Sequence, residues 1–244
     1  MFNFLTKHKN YTRFIVLSRS RTGSNLLINS LKMHPQIQVY GEIFRGGVDN
    51  SVKDSVIGSA DNYLDNRIFK YYDKSIRAVG FKIFYQHPVW DQSGNVWTYL
   101  QKLDDLKVIH LKRTNILRTL VSRKIASRTD VWKEENASGK SDTSNRKVSL
   151  SKEECEEFFE KTRSWEIEGD TRFSNNALLQ ISYEDLSNDY QNQMQRVQIF
   201  LDVTPIELQP QTQRQNPESL SELIINYDEL KKKFAGSPWQ DLFC

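Results

Sequence analysis

Hydrophobic and polar positions along the chain follow two alternating periods. Short apolar runs of strand type at Phe14 to Leu17, Ile37 to Tyr40, Ala78 to Tyr85, Leu106 to Leu111 and Ala177 to Tyr183 are separated by stretches with helical spacing. Leu26, Leu27, Ser30, Leu31 and Met33 predict a first helix, ended by His34-Pro35 because the residue before a proline is pushed out of the helical region. Asp61 to Tyr72 and Val96 to Leu106 predict two more. Ile116, Leu117, Leu120, Val121 and Ile125 give one apolar face to a helix over Asn115 to Arg128, and Tyr190 to Leu201 predicts another. Ser151 with Glu154 reads as a capping box for a helix presenting Cys155, Phe158, Phe159, Thr162 and Trp165. Thr204-Pro205-Ile206-Glu207 reads as a cap with proline at the first helical position, and Ser219 to Phe234 as a final amphipathic helix. Residues 133 to 149 have almost no apolar content and predict a mobile surface loop, not a domain boundary. Strands alternating with helices predict one α/β domain over residues 1–244. Its central, mostly parallel sheet is flanked by helices, with ligands at the carboxyl ends of the strands.

Composition narrows the ligand. A formal charge of +3 suits an anionic small molecule and is too weak to argue for nucleic acid. Two cysteines, Cys155 and Cys244, make neither a disulfide framework nor a metal site, so no metal is expected. No apolar stretch is long enough to span a membrane, and a cytoplasmic, reducing compartment is the default expectation.

The candidate chemistry starts in residues 14 to 27. A strand-type run leads into Ser18-Arg19-Ser20-Arg21-Thr22-Gly23-Ser24-Asn25, and Leu26-Leu27 open the helix. Such a turn wraps an anion. Gly23 allows close backbone approach, the amides at the helix start point outward, Thr22 and Ser24 add hydroxyls, and Arg21 adds fixed charge. The pattern lacks the G-x-x-x-x-G-K-[ST] of a Walker A loop, so a short anionic tail without metal fits better than ATP. A second basic stretch runs through Arg113 just past a strand to Ser122 on the following helix. Arg as a fork and Ser as a donor can serve one phosphate. The competing reading is a solvated basic face that includes Lys112, Arg118, Arg123 and Lys124.

Together the two stretches resemble the sulfotransferases that use 3′-phosphoadenylyl sulfate (PAPS), and more closely their bacterial carbohydrate branch of the trehalose and nodulation-factor type. The ordered signature reads Arg21-Thr22-Gly23-Ser24-Asn25-Leu26-Leu27, Gly41-Glu42-Ile43-Phe44, and Gln215-Asn216-Pro217 with Asn226-Tyr227-Asp228-Glu229-Leu230. The resemblance implies a P-loop-like three-layer α/β sandwich and PAPS as sulfonate donor, with adenosine 3′,5′-bisphosphate as product. It also implies a hydroxyl acceptor on a carbohydrate, glycolipid or small metabolite, and a homodimer as the form in which relatives often occur. Thr22, Gly23, Ser24 and Asn25 would grip the 5′-phosphosulfate, Arg21 the bridging and leaving oxygens, and Arg113 with Ser122 the 3′-phosphate. Arg214 would act as a second clamp on that phosphate. Arg113 and Ser122 lie nine residues apart, where cytosolic relatives mostly use eight. The extra residue turns a helix position by about 100°, so Arg113 is expected at a loop tip or beside a bulge.

Glu42 is the candidate general base, since the resemblance places a proposed catalytic Glu in its segment and nearby aromatic surface favours a raised pKa. His87, at a strand's carboxyl end, is its rival. His110 is expected in the core, His34 as a helix-end cap, and His8 in the N-terminal tail. Lys82 is expected to be structural or a weak acceptor contact, and Tyr183-Glu184-Asp185-Leu186 architectural. Trp90, Trp97, Trp132 and Trp165 read as core, with Trp132 the best exception for stacking on a sugar. The acceptor pocket is expected from residues 42 to 75 and 126 to 150. Two alternatives stay open: a P-loop-type nucleotide or metabolite kinase, and a nucleotide-binding module without catalysis.

Overall fold

The computed structural model describes residues 7–45, 60–87, 94–129, 146–210 and 217–243. Strands β2 (Thr12–Ser18), β3 (Ile37–Glu42), β5 (Ala78–Phe84), β6 (Lys107–Lys112) and β7 (Ala177–Ser182) form one sheet in the order β3-β5-β2-β6-β7. Every pairing in it is parallel. Parallel neighbours need crossover helices, which cover both faces, and this explains why the strands read as continuous apolar runs. Two short strands, β1 (Lys7–His8) and β4 (Tyr72–Asp73), pair antiparallel as a separate ribbon.

The helices are α1 (Ser24–Lys32), α2 (Ala60–Tyr63), α3 (Asn95–Gln101), α4 (Ile116–Thr129), α5 (Lys152–Arg172), α6 (Tyr183–Asn188), α7 (Tyr190–Phe200), α8 (Leu220–Leu223) and α9 (Tyr227–Lys233). On one sheet face Ile15, Leu17, Phe81, Ile83 and Val108 pack with Phe44, Phe69, Leu100 and Phe173. On the other, Phe14, Val16, Val39, Ile109 and Leu111 pack with Leu27, Leu31, Met194 and Val197. Each fully buried side chain of this size contributes about 1.5–3 kcal/mol of transfer free energy. A third cluster joins α4 to Phe158, Phe159, Leu223, Leu230, Phe234 and Phe243, so the C-terminal segment braces the helix that carries Ser122.

Several expected elements differ. The helix expected over Asp61 to Tyr72 stops at Ile68, because α2 runs into a π turn, Leu64–Ile68, closed by the Phe69 amide on the Leu64 carbonyl at 2.6 Å. The helix expected to reach Leu106 ends at Gln101. No helix starts at Thr204-Pro205. The side chain of Gln198 takes over the backbone of Ile206, accepting from its amide at 2.8 Å and donating to its carbonyl at 3.1 Å. The helix expected over Ser219 to Phe234 is broken in two, since Ile224 leaves it to bridge Val148. That bridge also fixes the end of the polar loop expected over 133–149, of which residues 146–149 are described. Ser151 caps α5 by accepting from the Glu154 amide, but the Glu154 carboxylate turns to Lys124 at 2.7 Å, so the box is half made. A complete box stands at Ser219 and Glu222.

Candidate active site

The carboxyl end of β2 enters a turn in which Arg21 (φ 69°) and Gly23 (φ 81°) both adopt the left-handed conformation. Gly23 caps α1 with no side-chain acceptor and no acid follows in the first turn, so the amides at the helix start are left for a ligand. A Cβ at position 23 would lie 2.2 Å from the Tyr183 ring, so a glycine is required by contact as well as by conformation. Thr22, expected as a ligand donor, instead spends its hydroxyl hydrogen on the Arg19 carbonyl at 2.7 Å and stiffens the turn.

Arg113 sits between β6 and α4, ahead of the helix that begins at Ile116. Its guanidinium lies 4.5 Å from the centre of the Tyr183 ring, donates to the Arg21 carbonyl at 3.0 Å, and has the Glu184 carboxylate 3.9 Å away. Glu184 accepts from the amides of Thr114 (2.9 Å) and Asn115 (3.2 Å), and the Asn115 side chain accepts from the Arg118 amide at 3.0 Å. Ser122, one face down the helix, accepts from Arg21 Nε at 2.9 Å. The structure thus brings Arg21, Arg113 and Ser122 together.

Glu42 ends β3 at a bulge. Tyr40 pairs with Phe81, yet Glu42 pairs with Lys82, so Gly41 is the extra residue. In a regular strand Glu42 would share the sheet face of Tyr40; the bulge moves it to the face carrying α1. There Lys82, only 3 % exposed, holds Glu42 Oε1 at 2.9 Å and donates to Asn25 Oδ1 at 2.7 Å. Glu42 itself is 21 % exposed. Lys82, expected to be structural or a weak acceptor contact, thus ties Glu42 to Asn25; a lysine inside an apolar strand shows nothing of the carboxylate that an adjacent strand delivers to it. His87 is buried, with no partner for Nδ1 among the described residues, and burial lowers its pKa against the opposing pull of Glu42.

A polar layer lies beneath the first turn on the opposite face. His110 is in the core as expected, and it is chemically engaged: Nδ1 meets Asp170 at 2.7 Å and Nε2 meets the Tyr85 hydroxyl at 2.6 Å. Lys112 adds a 2.6 Å bond to the other Asp170 oxygen. Burial drives the His110 pKa down to about 4, so the neutral ring donates from Nδ1 and accepts from Tyr85. Gly169 permits this close packing, since a Cβ there would meet Leu17 at 2.9 Å. His34 bonds the Thr204 carbonyl at 2.9 Å, and its Nδ1 accepts from the Gln36 amide at 3.1 Å. Arg214, Trp90 and Trp132 lie outside the described residues.

A turn with an uncapped helix start and a neighbouring pair of arginines, both at the carboxyl edge of a parallel sheet, make an α/β fold suited to an anionic ligand. Within that fold class the chain belongs to the sulfotransferase domain family, whose model matches residues 11–236. It is 29 % identical to Nodulation protein H of Rhizobium tropici over 235 residues, covering 94 % of this chain and 92 % of that protein. Identity to Nodulation protein H of Rhizobium meliloti (strain 1021) is 27 % over 238 residues, with 94 % of each covered. The crystal structure of a sulfotransferase from Alicyclobacillus acidocaldarius shares the fold, with a TM-score of 0.50 at 16 % identity over 91 % of this chain and 90 % of that one. The sulfonate donor of the family is PAPS. The donor set here fits it: amides and a glycine turn for one anionic end, guanidinium and hydroxyl for the other.

Proposed function

We propose that this sulfotransferase moves sulfonate from PAPS to a hydroxyl of a carbohydrate, with Glu42 as general base. The supporting observation is the Gly41 bulge, which carries Glu42 to the α1 side of the sheet and onto Lys82. Through Lys82 the carboxylate is tied to Asn25, the second residue of α1, so base and phosphosulfate turn move as one body. The start of α1, from Thr22 to Asn25, holds the 5′-phosphosulfate through its amides. Arg113, Arg21 and Ser122 hold the 3′-phosphate, and Arg214 is the further clamp. PAPS supplies an activated sulfonate. The chain's own part is to orient the acceptor hydroxyl, receive its proton on Glu42 and neutralise charge on the departing phosphate.

The three motifs shared with the carbohydrate branch support a carbohydrate acceptor. A cytoplasmic location and pairing into homodimers complete the reading; among the described residues no helix is long and apolar enough to cross a membrane. His87 is the second reading for the base, favoured by its unpartnered buried Nδ1. Glu42→Gln separates the two. Turnover should fall roughly 10²–10⁴-fold, the usual weight of a general base, while affinity for adenosine 3′,5′-bisphosphate stays within about twofold. Turnover retained in Glu42→Gln and lost in His87→Asn would transfer the role to His87. A panel of oligosaccharides with labelled donor identifies the acceptor.

A further inference from the structure

Arg19 has no part in the assignments above, yet it is among the most enclosed charges of the molecule at 3 % exposure. Its guanidinium lies 3.7 Å from the centre of the Phe158 ring and 4.8 Å from that of Trp165, and it donates to the Thr162 hydroxyl. All three partners are on α5, at successive steps of four and three residues, so they line one face of the helix. The Arg19 carbonyl receives the Thr22 hydroxyl at 2.7 Å, and the preceding carbonyl, of Ser18, receives the Tyr85 amide at 3.2 Å. The chain then turns through left-handed Arg21 and Gly23. A left-handed non-glycine costs about 1–2 kcal/mol and persists only where its surroundings over-determine it.

We propose that Arg19 is a positioning residue for donor binding, anchoring the phosphosulfate turn to α5 by its flat cation between Phe158 and Trp165. The inference rests on the reading that residues 22–25 hold the donor. A planar, weakly hydrated guanidinium suits this place, since it stacks on rings through its faces and donates through its edge; an ammonium does only part of this. Burial, reinforced by Arg123, pulls the Arg19 pKa down to about 10, which leaves the arginine charged at neutral pH. A lysine in the same surroundings would be pushed toward its neutral form as pH rises.

Isothermal titration with adenosine 3′,5′-bisphosphate tests this on the full chain, with melting of the free protein recorded beside it. Arg19→Lys should bind roughly tenfold more weakly than wild type at pH 7, and the ratio should widen toward pH 9. Phe158→Leu and Thr162→Val should each weaken binding severalfold, although neither residue is assigned to the nucleotide. The losses of Arg19→Lys and Phe158→Leu should be less than additive when combined. Should Arg19→Lys not fold, Phe158→Leu and Thr162→Val decide alone, because they keep the arginine. Wild-type affinity in those two, or a pH-independent wild-type affinity in Arg19→Lys, overturns the proposal. Unchanged affinity in Gly23→Ala would instead overturn the reading of the turn itself.

Discussion

The two turns at the edge of the sheet, proposed to hold the two ends of the donor, are built by opposite means. The turn between β2 and α1 is built from backbone: two left-handed residues, a helix start without a side-chain cap, and a glycine pressed against Tyr183. The turn between β6 and α4 has the amides of Thr114 and Asn115 bonded to Glu184 and that of Arg118 bonded to the Asn115 side chain. Its capacity for a phosphate therefore lies in side chains, Arg113 and Ser122 with Arg21 reaching across from the other turn. The difference is one of tolerance. A backbone cradle fails when its conformation changes, whereas a side-chain cradle loses affinity group by group.

The sharpest way to break the comparison is Gly23→Ala. The new methyl meets the Tyr183 ring and the residue must hold a positive φ, so the turn gives way. Affinity for adenosine 3′,5′-bisphosphate should drop roughly a hundredfold, read by titration calorimetry. Glu184→Ala comes next. It strips the acceptor from two amides at the start of α4 and should lower stability by about 1–2 kcal/mol in a denaturant melt, with a smaller loss of nucleotide affinity than Gly23→Ala. Ser122→Ala is the mildest, a single hydrogen bond worth about fivefold in affinity. A Ser122→Ala loss equal to that of Gly23→Ala would erase the distinction between the two cradles.

The sequence made the turns visible before the contacts between them. Strand, turn and helix order could be read because a parallel sheet buried on both faces leaves uninterrupted apolar runs such as Phe14 to Leu17. Misreadings fall where distant side chains replaced local signals. Thr204-Pro205 carries a correct helix-start pattern, yet Gln198 satisfies the backbone of Ile206 in an extended path. Asn226, noted within the tail motif, clasps the backbone of Leu150 from both sides and helps to split the final helix. The partners of Lys82 and Arg19 could not be read from the sequence. A cation in an apolar strand or a short turn gains meaning only from partners that the fold brings from elsewhere, Glu42 in one case and Phe158 with Trp165 in the other. The bond from Arg21 to Ser122 is likewise a contact between distant segments that no local signal in the sequence announces.

The central claim is that the two cradles hold opposite ends of one nucleotide. It is tested most directly by titrating wild type and Arg113→Ala with adenosine 3′,5′-bisphosphate and with adenosine 5′-phosphate, which lacks the 3′ group. Arg113→Ala should cost the bisphosphate roughly ten- to a hundredfold, the weight of a buried charge-assisted bond, and leave adenosine 5′-phosphate nearly untouched. Equal losses for both nucleotides would show that Arg113 does not serve the 3′-phosphate and would contradict the account.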